Sequence, residues 1–138
     1  MKQPSLCACT NLRRAARTLT HLYDRALEPA GLKVTQFALL RAALRHGPAS
    51  ISKLAAEVHL DRTTFGRNIA LLERAGLVAL SPGEDLRQRT VMLTGRGKRA
   101  VDTAVPLWEQ VQEKVTKTLG RSRLDQLTTL LVEVEALS

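Results

Sequence analysis

One stretch, residues 61–94, DRTTFGRNIALLERAGLVALSPGEDLRQRTVMLT, constrains what this chain can fold into more than any other part of it. It opens on Asp61, whose side chain suits an N-cap, and then places Phe65, Ile69 and Leu72 at the four-then-three spacing of a buried helical stripe. The other side of that helix is polar. Arg62, Thr63, Thr64, Arg67 and Asn68 crowd its first two turns, and all can donate to phosphates or base edges. Gly76 fits a left-handed C-cap that stops the helix. Two β-prone runs follow, residues 77–80 and 90–93. The polar loop SPGEDLRQR separates them, with a Pro82-Gly83 turn signal and two arginines, Arg87 and Arg89.

A helix with a hydrogen-bonding outer face followed by a basic hairpin predicts a winged helix-turn-helix. The preceding residues supply its missing member. Ser50 is expected to cap a short helix with Ile51, Leu54, Ala55 and Val58 apolar, ending near His59 and Leu60, so that only a short turn separates it from Asp61. The second helix of such a pair is the one that lies in the major groove.

The flanks read differently. Residues 12–27 carry Leu12, Ala15, Ala16, Leu19, Leu22, Tyr23, Ala26 and Leu27 as a broad helical stripe that ends near Pro29. Its apolar coverage exceeds what one neighbour needs and points to a second subunit. Thr35 is predicted to cap a second helix running to about Arg45, with Phe37, Leu40 and Leu44 inward. After the hairpin, Thr94 should cap a long helix with Gly95 and Gly97 in its first turn. Pro106 inside it is expected to bend or interrupt it. Leu107, Val111, Val115 and Leu119 continue a stripe to Gly120, and a last helix near residues 122–136 is expected to bury Leu124, Leu127, Leu130, Leu131 and Val134. The reading is a single domain over residues 1–138, mainly α with a small β-hairpin wing. The DNA-binding unit takes residues 34–94, and the dimerisation helices take residues 6–30 and 95–138. The competing reading is a monomer that folds its terminal helices onto its own core.

Charge supports an anionic partner for one part of the chain only. The 138 residues carry a net charge of +8. Residues 1–60 hold nine Lys/Arg against three acids, residues 61–99 eight against four, and residues 100–138 four against six. The acidic C-terminal part is not expected to lie on a polyanion. A 44% hydrophobic content with only 3% aromatic implies a core of Leu, Val, Ile and Ala, which favours helices. No run reaches the roughly 18 apolar residues of a membrane span, and MKQPSLCACTN lacks the apolar core of a signal peptide. A cytoplasmic protein with no membrane partner is expected, with Cys7 and Cys9 reduced.

The wing run EDLRQRTVMLTGRG resembles the signature of the MarR family of bacterial transcription regulators, with an acid at Asp85, an arginine at Arg87, and Leu93-Thr94 with Gly97 opening the next helix. DRTTFGRNIALLERAGLV is similar to that family's recognition helix, and the helix order matches over nearly the whole chain. The resemblance implies a homodimer with intertwined N- and C-terminal helices. Its two winged units would read a pseudo-palindromic double-stranded DNA operator, and a small-molecule effector would sit between the two parts. It also implies that Arg87 enters the minor groove, with Asp85 orienting it, and that Thr63, Thr64, Arg67 and Asn68 make the recognition-helix contacts. Chemistry assigns Ser50, Ser52 and Arg62 to phosphates, with Arg89 as a further basic group of the wing.

Cys9, near a helix N-terminus and one turn before Arg13, stands where a thiol pKa is lowered. The spacing Cys9, Arg17, Thr20, Tyr23 is similar to the organic-hydroperoxide-sensing branch of the family. That match implies Cys9 as the oxidised thiol and Tyr23 as its hydrogen-bond partner, with Cys7 as a neighbouring or intersubunit thiol. Near Val34 and Phe37 that branch supplies further tyrosine hydroxyls that this chain lacks. The other reading takes both cysteines as small unreactive residues. His21, His46 and His59 have no metal-ligand spacing, and no phosphate loop, nucleophile elbow or paired carboxylates point to an enzyme or a cofactor. The expected function is a dimeric DNA-binding repressor released by a ligand or by oxidation. The alternative is a winged-helix protein-interaction module without specific DNA binding.

Overall fold

The computed structural model describes residues 2–82, 85 and 88–138. Helix α1 (Ala8–Leu27) runs into a 3-10 turn (Glu28–Ala30), and α2 (Val34–His46) follows. Strand β1 (Ala49–Ser50) leads directly into α3 (Ile51–Glu57) and then α4 (Arg62–Arg74). Strands β2 (Val78–Leu80) and β3 (Thr90–Leu93) form the wing, and α5 (Gly95–Leu119) and α6 (Arg121–Glu135) close the chain. The result is a mostly helical winged helix-turn-helix.

The sheet is antiparallel in the order β1-β3-β2, with Ala49 opposite Val91 and Val78 opposite Leu93. The two-residue β1 is too short to leave an alternating pattern in the sequence. Its pairing fastens the start of the helix-turn-helix to the wing. The core lies beneath α4, where Phe65, Ile69 and Leu72 meet Leu40 and Leu54, the wing's Val78 and Val91, and Val101 and Ala104 of α5. Burying side chains of this size contributes about 1.5–3 kcal/mol each, so the stripe on α4 anchors it firmly to the sheet. No described helix is long and apolar enough to cross a membrane.

Four local expectations are corrected. Thr35 does not cap α2, because Lys33 occupies that place: Gln36 accepts from its N–H at 2.9 Å and Asp24 accepts from Val34 N–H at 2.8 Å. Leu44 is not inward but 46% exposed, since α2 turns Leu39, Leu40, Ala42 and Ala43 to the core and carries Leu44 past it. Of the two outcomes expected at Pro106, a bend or an interruption, the interruption does not occur: α5 is continuous from Gly95 to Leu119. The proline removes one N–H bond, but Pro106 and Asp102 are both exposed, so water can reach the freed carbonyl, and Val101, Ala104 and Val111 hold the helix down on either side. Helix α6 buries nothing within its own chain: Leu124 is half-buried, and Leu127, Leu130, Leu131 and Val134 are exposed.

Candidate nucleic-acid interface

The reading helix is set by its caps. Ser50 Oγ accepts from Lys53 N–H at 3.1 Å and starts α3. The chain then turns through Val58 and His59, whose φ of 54° is left-handed, and Leu60 N–H donates to Ala55 O at 3.1 Å. Asp61 Oδ1 accepts from Thr64 N–H at 3.3 Å and starts α4. The Thr64 hydroxyl, its backbone N–H and the charge of Arg67 together outweigh desolvation and hold the Asp61 carboxyl below its ordinary range. A depressed carboxyl stabilises the fold at neutral pH, and the contribution is lost as pH falls through the lowered value.

With Phe65, Ile69 and Leu72 docked, Arg62, Thr63 and Arg67 stand exposed, while Thr64 and Asn68 are half-buried. Asn68 Nδ2 donates to Thr64 O at 3.0 Å, which folds its amide against its own helix. Arg62, Thr63 and Arg67 are therefore the polar side chains of the first two turns of α4 that stand clear of the protein. Ser50 and Ser52 lie at the start of α3, Ser50 half-buried and Ser52 exposed.

The wing base is a closed set of bonds. Ser81 N–H donates to Thr90 O at 3.0 Å and Thr90 N–H to Ser81 Oγ at 2.8 Å. Arg89 Nε donates to Ser81 O at 2.6 Å, and Ile51 N–H donates to Arg89 O at 3.1 Å. Arg89, expected as a basic wing contact, is half-buried, and these two bonds tie the wing to the start of α3. Asp85 is exposed, and its carbonyl accepts from Gln88 N–H at 3.1 Å. Arg87, and with it the pairing to Asp85, lies outside the described residues.

The cysteines are placed by a clamp. Asn11 Oδ1 accepts from Ser5 N–H and Asn11 Nδ2 donates to Ser5 O, each at 2.8 Å, which holds Cys7 at the N-cap of α1. Both thiols are exposed. The Thr10 hydroxyl, the Thr10 N–H and the Cys9 N–H lower the Cys7 pKa from its ordinary value. Tyr23 does not meet Cys9 in the same chain. Fourteen residues of helix separate them, about 21 Å of axial rise, and the Tyr23 hydroxyl donates instead to Gln112 Oε1 of α5. Partial burial raises the Tyr23 pKa. At the junction of α2 and α5, the Arg41 guanidinium lies 5.5 Å from the Phe37 ring and 5.4 Å from Trp108. Among the described residues no group of three His, Cys, Asp or Glu is placed to hold a metal.

Known proteins share both this architecture and its sequence. A family model described as MarR family matches residues 30–88. The structure of the transcriptional regulator MosR of M. tuberculosis superposes with a TM-score of 0.80 at 40% identity, over 96% of this chain and 98% of that one. The chain belongs to the MarR family. MosR has also been solved in complex with DNA, and that structure matches at 43% identity with a TM-score of 0.79, over 95% of this chain and 98% of that one. A structure of BpsR from Bordetella bronchiseptica, described as regulated in its DNA binding by 6-hydroxynicotinic acid, matches at 25% identity with a TM-score of 0.82, over 97% and 98% of the two chains. The HTH-type transcriptional regulator FarR of Neisseria gonorrhoeae is 27% identical over 125 residues, 88% of this chain and 84% of that protein. The MarR family is one of transcription regulators, not enzymes.

Proposed function

We propose that this MarR-family chain is a homodimeric repressor that binds a pseudo-palindromic operator through two winged units and is released by a small ligand or by thiol oxidation. One observation carries the DNA reading: Thr63 and Arg67 stand exposed on α4 opposite the Phe65, Ile69 and Leu72 stripe that fixes the helix to the wing. Arg67 can donate two bonds to a guanine edge, Arg62, Ser50 and Ser52 serve phosphates, and Arg87 takes the minor groove with Asp85 orienting it. That a relative, MosR, has been solved in complex with DNA supports the DNA-binding reading. The winged unit then spans residues 34–94, and the helices at residues 6–30 and 95–138 bring two of them together.

Selection of bound fragments from genomic DNA should recover two half-sites roughly 10 base pairs apart. On the selected operator, Arg67→Ala should weaken binding about 10- to 100-fold and relax the preference at one base pair, whereas Arg87→Ala should weaken all sequences alike and flatten the salt dependence. Failure to enrich any sequence would favour the protein-interaction module instead.

The structure bears on the thiol arm through Cys7. Its polarised sulfur attacks the outer oxygen of an organic peroxide, the O–O bond breaks, the thiol becomes a sulfenic acid and the alkoxide leaves as the alcohol once protonated. Because Cys7 caps α1, this places a bulkier polar group at the start of a dimerisation helix. Mild peroxide should release operator DNA from the wild type and not from Cys7→Ser, with Cys9→Ser retaining the response. Release that persists in Cys7→Ser would overturn Cys7 as the sensor, and release that persists in the double variant Cys7→Ser, Cys9→Ser removes thiol oxidation from the mechanism and leaves a small ligand, of which the acid named for BpsR is an example in a relative.

A further inference from the structure

Gly66 stands inside α4, directly after the buried Phe65, and no contact within the chain accounts for it. We infer that it is a specificity-determining residue of the reading helix, a shallow apolar notch that admits the C5-methyl group of one thymine in each half-site.

Two other glycines near α4 have visible reasons. Gly76 takes the φ of 74° that ends the helix, and Gly97 lies against the Leu77 carbonyl, where a Cβ would stand 2.1 Å away. Gly66 has neither. Its backbone is ordinary right-handed helix, and among the described residues nothing lies within 4 Å of where its Cβ would stand. Glycine is the poorest helix former after proline, so it weakens the middle of this 13-residue helix without any gain in packing. What needs the bare backbone lies outside the chain.

Its position says where. Thr63, Gly66, Arg67 and Ala70 follow at i, i+3, i+4 and i+7 on one face of the helix, while Phe65, Ile69 and Leu72 hold the opposite face on the core. The outer face is therefore low at Gly66, with the exposed side chains of Arg62 and Arg67 rising on either side. A helix shaped in this way can settle until its backbone, rather than a side chain, meets the base edges. Gly66 offers no hydrogen bond there, because its N–H and C=O belong to the helical ladder. Its neighbours on that face are the γ-methyl of Thr63 and the Cβ of Ala70. The notch is apolar, and the thymine methyl is the apolar group that base pairs present in the major groove. This assignment rests on the DNA reading proposed above and names one base that the helix selects.

The test uses the operator selected with the full wild-type chain, resynthesised with deoxyuridine in place of each thymine of a half-site in turn, which removes the methyl alone. At one of these thymines the wild type should bind about fourfold more weakly, the loss that corresponds to one buried methyl. Gly66→Ala fills the notch with its own methyl. It should bind the thymine operator about tenfold more weakly, as for a mismatched base pair, and no longer distinguish thymine from deoxyuridine there. Repeated selection with the variant should recover a different base at that position. Its unfolding temperature should equal or exceed that of the wild type, which separates the DNA effect from a folding defect. Unchanged affinity and selection by Gly66→Ala, or indifference of the wild type to deoxyuridine at every thymine, would overturn the role of Gly66 while Arg67→Ala still reports on the DNA reading. A wild type that enriches no sequence would overturn both.

Discussion

Gly97→Ala is expected to lower the midpoint of thermal unfolding by roughly 10 °C, equivalent to about 3 kcal/mol in a chain of this size. At Gly97 an added Cβ would stand 2.1 Å from Leu77 O and 3.1 Å from Leu77 C, both backbone atoms. Neither can swing aside as a side chain can. Leu77 O also accepts from Thr94 N–H at 3.2 Å, and Thr94 Oγ1 donates to Gly76 O at 2.6 Å while accepting from Gly97 N–H at 3.0 Å. The extra methyl would push α5 off the root of the wing and strain three bonds together. Gly66, on α4, has nothing within 4 Å of its Cβ position, and Gly95 meets only the movable end of Arg99. Alanine at either should leave the protein as stable as before or raise its stability by about 0.5–1 kcal/mol through helix propensity. A melting temperature for Gly97→Ala within a degree or two of these controls would show that α5 does not approach β2 as closely as described.

That contrast marks what the residue pattern reveals and what it hides. The reading helix was legible because each of its determinants is local: Asp61 caps it, Phe65, Ile69 and Leu72 repeat at helical spacing, and Gly76 ends it at a φ of 74°. The caps at Ser50 and Thr94 were legible for the same reason. Gly97 could be seen only as a glycine in a helix, because its reason lies across space in Leu77. The bond from Arg89 to Ser81 O was not legible, since nothing local shows which arginine of a polar loop will grip a carbonyl. The cap of α2 escaped for a similar reason: Asp24, ten residues upstream, supplies an acceptor that made Thr35 unnecessary. Helix α6 shows the opposite case, a local pattern read correctly as amphipathic whose apolar side finds no partner in its own chain.

The unpartnered side of α6 sets up the other large effect. Replacing Leu130 and Leu131 together by Glu is expected to convert a dimer into a monomer in sedimentation and to weaken operator binding at least 100-fold. Leu127, Leu130, Leu131 and Val134 recur at the three-then-one-then-three spacing of one helical stripe, and Leu130 is 57% exposed. Fully covering side chains of this kind contributes about 1.5–3 kcal/mol each, of which contacts within the chain supply only part here. On α1, Ala15, Ala16 and Leu19 are likewise exposed, so both ends of the chain leave apolar helix uncovered, as the proposed dimer requires. Two charges buried without partners in such an interface would cost more than the leucines contributed. The DNA effect follows from linkage: once one winged unit is seated, its twin binds at a high effective concentration, an advantage of about 10²–10⁴ that a monomer forfeits. Because the replaced residues are exposed in the single chain, helix content and the winged unit should survive. A wild-type protein that sediments as a monomer, or a variant that stays dimeric and binds operator normally, would return the terminal helices to the competing reading of a monomer.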